Sequence, residues 1–263
     1  MKFICIPSGN LVSGIGENGI NIEISSDFYI QTTEVTQAQF KTIMGTNPSY
    51  FSNNDKHPVE NISWDDVQKF LKKLNLIEKN NGYNYRLPTE AEWIYASRAG
   101  GAQTSKKGQN VQTVRSYVDF DFVENFMIDP YPSKNIAWFS ENSCGEYKYC
   151  SNWDEVKSNC LNCGTHPVAR KEVNVWGLYD MFGNVWEWCR DKYTNKPMNH
   201  HRSELLLSNS QLHSNRVIRG GSWKSKSTCN NYDNFEDCTI FRKSKSQSYH
   251  SNSIGFRLIM TLE

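Results

Sequence analysis

Nowhere in this chain of 263 residues does an apolar run approach the roughly 20 residues that a membrane-crossing helix needs. An excess of charge of one sign is also lacking. Lys plus Arg number 29 and Asp plus Glu 28, so bulk charge gives no footing on nucleic acid or on an anionic membrane surface. No repeat recurs at a fixed period, which removes solenoids and propellers. The six histidines, His57, His166, His200, His201, His213 and His250, form neither H-x-x-x-H nor H-E-x-x-H, so no spacing supports a histidine-held metal. The glycines nowhere stand in the strand–loop–helix setting of a phosphate loop. Hydrophobic residues reach only 38%, offset in part by 13% aromatics with eight tryptophans, because each ring buries a large area.

The N-terminal MKFICIPSG has a four-residue apolar run before Pro7, short of the about 7–15 residues of a secretory core. Domain sequence therefore begins almost at once. Two expectations follow: a cell-surface or periplasmic location after loss of an export segment, or a cytoplasmic one. The eight cysteines bear on the choice: Cys5, Cys144, Cys150, Cys160, Cys163, Cys189, Cys229 and Cys238. Cys144, Cys150, Cys160 and Cys163 crowd together. Nested disulfides, Cys144–Cys163 outside and Cys150–Cys160 inside, would staple an excursion of the chain. Free thiols and zinc stand beside that reading, although only Cys160 and Cys163 form the close pair that zinc usually takes twice.

Helix signals are few. Thr36 with Gln39 is a capping box that opens a short helix to Met44, with Gly45 as its stop. Ser63 with Asp66 opens an amphipathic helix of about three turns on which Trp64, Val67, Phe70, Leu71 and Leu74 share a face. Thr89 with Glu92 opens Glu90–Ala99, with Gly100 after it. Thr104–Gly108 and Tyr131–Lys134 read as loops, Phe182–Asn184 as a turn, and Arg216–Arg219 and Gly255–Ile259 as strands. The fold class is α+β, rich in loops, with few helices and short strands. No linker divides it, so a single domain over 1–263 is expected. Arg86, Glu90, Glu92 and Arg98 are expected to make caps and helix pairs rather than chemistry. Trp93, Trp176, Trp186 and Trp188 are expected in the core, and Gly220 and Gly221 to serve backbone geometry.

The segment Lys224–Ser253 is different. It holds seven Ser and four Asn, with Tyr232, Phe235, Phe241 and Tyr249, and no Gly, Pro, Leu or Val. Aromatics among small polar residues make a paratope-like composition, in which Tyr offers rigid area and Ser and Asn adaptable hydrogen bonds. Candidate contacts are Ser225, Ser227, Cys229, Asn230, Asn231, Tyr232, Asn234, Phe235, Asp237, Tyr249, His250 and Asn252. The bland alternative is a polar surface loop with no binding role.

Several segments, in order along the whole chain, resemble the formylglycine-generating-enzyme (sulfatase-modifying factor) family: FICIPSGNLVSG from Phe3, FYIQTTEVTQAQF from Phe28, HPVENISW from His57, YRLPTEAEWIYASRAG from Tyr85, NVWGLYDMFGNVWEW from Asn174, RGGSW from Arg219 and GFR from Gly255. The resemblance implies the C-type-lectin-like fold in its large, loop-rich form. The family's oxidase chemistry uses two copper-binding cysteines, three and eight residues after the RGGS serine. With Ser222 in that place, the two positions hold Ser225 and Asn230. Neither is the thiolate that Cu(I) selects. Cys229 falls one residue short and Cys238 lies beyond. The resemblance thus implies the scaffold without its catalytic pair: no enzyme and no cofactor, the alternative being an oxidase with a displaced site. Family members often carry calcium near GNxWEW, where Asn184 and Glu187 offer oxygens; hydrogen bonding in the turn accounts for them equally, and no metal is assigned.

The placement of Lys224–Ser253 between RGGSW and GFR closely resembles the variable proteins of diversity-generating retroelements. Mutation at template adenines of an Asn codon could give 24 of its 30 residues. The function implied is a variable binding face on a lectin-like scaffold. Its partner would be an unknown protein or cell-surface molecule, bound by a monomer that meets a membrane only through a removed N-terminal anchor.

Overall fold

The computed structural model describes residues 1–13, 20–52, 54–99, 133–144, 163–194, 215–226 and 242–262. Helix α1 (Gln37–Met44) begins because Thr36, in extended backbone, accepts the Gln39 N–H while the Gln39 side chain accepts that of Thr36; Gly45, at φ 83°, ends it in the left-handed region. The same reciprocal box, Ser63 with Asp66, opens α2 (Trp64–Glu78), and Thr89 with Glu92 opens α3 (Glu90–Ser97). All three starts fall where the S/T-x-x-E/Q/D spacing puts them. Helix α2 is longer than three turns, and α3 stops at Ser97 instead of Ala99. A short helix, α4 (Ser133–Ile136), occupies part of the stretch expected as loop.

The opening stretch divides at Pro7, which has no N–H to give a ladder. Strand β1 (Phe3–Ile6) precedes it, and β2 (Gly9–Ser13) pairs with β3 (Ile20–Ile24) as a separate hairpin. Strand β1 pairs with β4 (Phe28–Gln31). The first sheet has the order β1–β4–β10–β5, with β5 at Tyr83–Arg86 and the last strand, β10 (Ile259–Leu262), inserted between two earlier ones. The second sheet has the order β8–β7–β6–β9, formed by β6 (Trp186–Lys192), β7 (Arg216–Arg219), β8 (Lys243–Lys245) and β9 (Ile254–Gly255). Strand β9 runs parallel to β6. The expected strand Gly255–Ile259 is therefore a crossing: the chain leaves one sheet at Gly255 and joins the other at Ile259.

Two apolar clusters fill the interior. One gathers Ile6, Ile22, Ile30, Trp93 and Leu178; the other gathers Phe40, Phe70, Leu87, Trp188 and Phe256. Phe70 stacks on Phe40 at 5.2 Å and meets the edge of Phe256 at 5.4 Å, offset and edge geometries that aromatic quadrupoles favour. Trp93, Trp186 and Trp188 are buried, as core residues and not as a ligand cage. Trp176 is half-buried against the first cluster.

A charged pair lies among these side chains. Arg257 is wholly buried and Glu187 nearly so. The Arg257 Nε and Nη2 donate to the two Glu187 oxygens at 2.7 Å each. Trp93 Nε1 donates to the same carboxylate at 2.7 Å. Nη1 also donates to the Gln31 carbonyl, and Nη2 to those of Tyr179 and Asp180. Removing one partner would strand the other charge in the interior. Arg257→Met is expected to cost about 3–5 kcal/mol by urea denaturation, whereas loss of the solvent-exposed Lys69–Asp66 pair is expected to change little.

Candidate functional site

The RGGSW stretch leaves β7 and turns inward. Gly220 and Gly221 sit at φ 97° and 78°, and a Cβ at Gly220 would stand 3.1 Å from both the Met181 carbonyl and the Trp93 ring. Only glycine fits there without movement. Beyond it, the Ser222 N–H donates to Ser225 Oγ at 3.0 Å, and the Ser225 N–H donates to the Ser222 carbonyl at 2.9 Å. Ser140 N–H caps the Ser225 carbonyl at 2.9 Å. Ser225 is only 4% exposed. It holds a turn closed from within, which corrects its expected place among the surface contacts: the hydroxyl is engaged and faces no partner. It also occupies the first of the two positions at which the family resemblance expects a copper-binding cysteine.

Trp223 is anchored next to it. Its ring N–H donates to the Asn252 carbonyl, its backbone N–H to the Asn184 carbonyl, and its own carbonyl accepts from the Ser143 hydroxyl. Lys224 Nζ donates to Asn252 Oδ1 at 2.7 Å and lies 4.8 Å from the Trp223 ring centre. Burial pushes the Lys224 ammonium down, with Glu60 opposing that shift. Asn252 is therefore half-buried and already partnered. Tyr249 is 41% exposed beneath the Lys245 ammonium, and His250 is exposed with its ring against Asp66 at 2.9 Å. These two remain open to a partner. Ser227, Cys229, Asn230, Asn231, Tyr232, Asn234, Phe235 and Asp237 lie outside the described residues, as does Cys238.

One neighbour escaped the sequence reading. Tyr50 is 70% exposed and packs edge-on to Phe51, which in turn packs edge-on to Trp223. Nothing in the local sequence ties Tyr50 to a tryptophan far along the chain.

Cys144 and Cys163 are joined, as the outer bridge of the nested reading requires. That consumes two of the four thiols a zinc site would need. Cys150 and Cys160 lie outside the described residues, and Cys5 and Cys189 are free thiols, one exposed and one buried. Next to the bridge, His166 stacks on Trp138 at 3.6 Å and donates through Nε2 to the Ser143 carbonyl. His57 Nδ1 meets the Thr165 hydroxyl at 3.0 Å.

The oxygens expected to suit calcium divide differently from the expectation. Asn184 spends its side chain on the His166 N–H and carbonyl, and Glu187 is held by Arg257. Among the described residues no three His, Cys, Asp or Glu side chains converge as a metal group. Yet both carboxylate oxygens of Glu34, and Asp180 Oδ1, are buried without a hydrogen-bond partner. Burial, then the nearby Asp180 and Glu187, push the Glu34 carboxyl well up. Burial likewise pushes Asp180 up to about 6. Such orphaned hard oxygens fit a calcium ion, with Glu34 and Asp180, not Asn184, as the side chains that would hold it. Calcium is expected to raise the Tm at neutral pH, and Glu34→Gln to abolish that rise, as read by differential scanning fluorimetry against a chelator.

Burial, with His166 adding to it, lowers the His57 ring from 6.5 to about 4. The unfolded chain therefore takes up the proton first as pH falls. Stability from this group is complete above about 6.5 and is lost on descent through about 4. The loss is expected to be on the order of 1–2 kcal/mol, below the full shift because solvent reaches half the ring. Chemical denaturation from pH 7 to 4 should show a shallower fall in His57→Gln.

Against this geometry stand the comparisons with known proteins. Residues 1–262 match the sulfatase-modifying factor enzyme 1-like domain. A chaperone protein, LppX, of Paenibacillus barcinonensis is 31% identical over 232 residues, 76% of this chain and 70% of that protein. The formylglycine-generating enzyme of Streptomyces coelicolor is 28% identical over 208 residues, 76% of this chain and 52% of the enzyme; the chain thus spans about half the length of that relative. Among solved structures, Treponema denticola variable protein 1 superposes with TM-score 0.63 at 26% identity over 98% of this chain and 94% of that one. PvdO from Pseudomonas aeruginosa shares the fold at TM-score 0.63 and 18% identity, covering 99% of this chain and 94% of that one. The chain belongs to the sulfatase-modifying factor enzyme 1-like family, that of the formylglycine-generating enzyme, and its architecture is that of the treponemal variable protein.

Proposed function

We propose that this protein is a non-enzymatic binding protein whose lectin-like scaffold displays Lys224–Ser253 as a variable face to a protein or cell-surface ligand. The observation that carries the reading is the likeness, over 98% of the chain, to a treponemal variable protein. Ser225 supports it. The first of the two positions where the family's chemistry would place a thiolate holds a buried hydroxyl engaged in a turn, and a hydroxyl is a poor ligand for Cu(I). The second position holds Asn230. In this reading the chain is displayed at the cell surface as a monomer over a single domain. Among the described residues no helix is long and apolar enough to cross a membrane, so an anchor would lie elsewhere.

The enzymes among its relatives keep one rival in view, an oxidase with a displaced site at Cys229. DNA downstream of the coding region distinguishes the two. A near-copy of the Arg219–Arg257 coding segment, differing at adenines and lying beside a reverse transcriptase, is the expected finding. Its absence, together with copper binding that is lost in Cys229→Ser, would overturn the proposal in favour of the oxidase.

A further inference from the structure

The face proposed above needs roots that hold still while its residues change, and one buried carboxylate stands where both roots pass. Glu90 opens α3 and is 5% exposed. Its backbone N–H donates to Asp191 Oδ2 at 2.6 Å, so the helix start is pinned independently of its side chain. The side chain meets two guanidiniums. Arg219, the last residue of β7, approaches through Nη2 at 2.8 Å. Arg242, immediately before β8, places Nε 2.7 and 2.8 Å from the two carboxylate oxygens. Arg242 also donates through Nη1 to the Thr194 carbonyl and lies 4.3 Å over the Tyr193 ring. Both guanidinium side chains are almost covered, at 11% and 12% exposure.

Arg219 enters the RGGSW turn and Arg242 follows the residues 227–241. We infer that Glu90, Arg219 and Arg242 form a clamp that fixes the two roots of the displayed segment to α3, with Arg242 as a positioning residue that does not itself vary. This inference rests on the binding reading and redraws its boundary. Arg242 falls inside Lys224–Ser253, as do Ser244, paired with Val217 in β8, and the buried Ser253. These are framework. The positions free to change are those from Lys226 to Phe241, together with Tyr249 and His250. Arginine is required at 242 because one planar fork must serve a carboxylate, a carbonyl and an aromatic face together, which a lysine ammonium cannot do.

Native-state proteolysis with a non-specific protease, with cuts mapped by mass spectrometry, tests the clamp without any ligand. Arg242→Met should raise cleavage at the two roots, 215–226 and 242–245, about tenfold or more while the first sheet stays protected. Arg242→Lys should not restore protection. Glu90→Gln, which keeps the shape and drops the charge, should move cleavage the same way and covers the case in which Arg242→Met fails to fold. Wild-type cleavage rates in folded Arg242→Met or Glu90→Gln would overturn the clamp.

A library randomised at 227–241 and selected against lysozyme as a model protein supplies the functional readout. Binders should emerge on the wild-type frame and fall at least about tenfold in frequency on the Arg242→Met frame at equal display. Equal recovery from both frames would overturn the positioning role. Binders from neither frame would count against the binding reading itself, and the proteolysis would still decide the clamp.

Discussion

The fold depends on the buried ion pair of Glu187 with Arg257. An isolated charge in such a place is prohibitive, so each partner is tolerable only because the other arrives in register. Glu187 comes from β6 of the second sheet, while Arg257 sits in the crossing between β9 and β10. The pair therefore ties the two sheets at the point where the chain passes between them. Trp93 adds α3 to the same carboxylate, and the carbonyls of Gln31 and Asp180 bring in the end of β4 and the loop before β6. Five parts of the chain meet on one guanidinium–carboxylate contact. Glu34 and Asp180, buried nearby with unpartnered oxygens, add negative charge that must be met by protons or a cation.

How much of this was legible beforehand follows from how local each cause is. The three capping boxes were readable because donor and acceptor sit three residues apart. The buried tryptophans were readable from their size and setting. The Cys144–Cys163 bridge was one of several options that spacing allowed. Ser225 was misplaced for a different reason. Composition described the segment as a whole, whereas burial is decided residue by residue by contacts from Ser140 and Ser222. The role of Glu90 was equally hidden, since helix spacing suggests partners within a turn and its actual partners come from two distant strands.

On the proposed binding reading, the arrangement separates what must be kept from what can change. Ser225 and Trp223 on one side and Arg242 on the other are tied by contacts that a scaffold needs. Tyr249, His250 and Tyr50 are exposed close to them. Related to formylglycine-generating enzymes and sharing a fold with a treponemal variable protein, the chain illustrates that a scaffold sets where a site can stand and leaves the chemistry to the residues placed there.

The position of β10 bears on how the protein is made. Strand β10 is made after β4 and β5, lies between them and pairs with both, so the first sheet cannot close until synthesis reaches Leu262. Translation must first pass through Lys224–Ser253 without a stop or a shift of frame. A product truncated there would lack Arg257 and β10 together and would leave the facing edges of β4 and β5 unpaired, the kind of edge that cellular quality control recognises. Strand β10, by completing the first sheet, thus acts as a proof of completeness for the segment that precedes it.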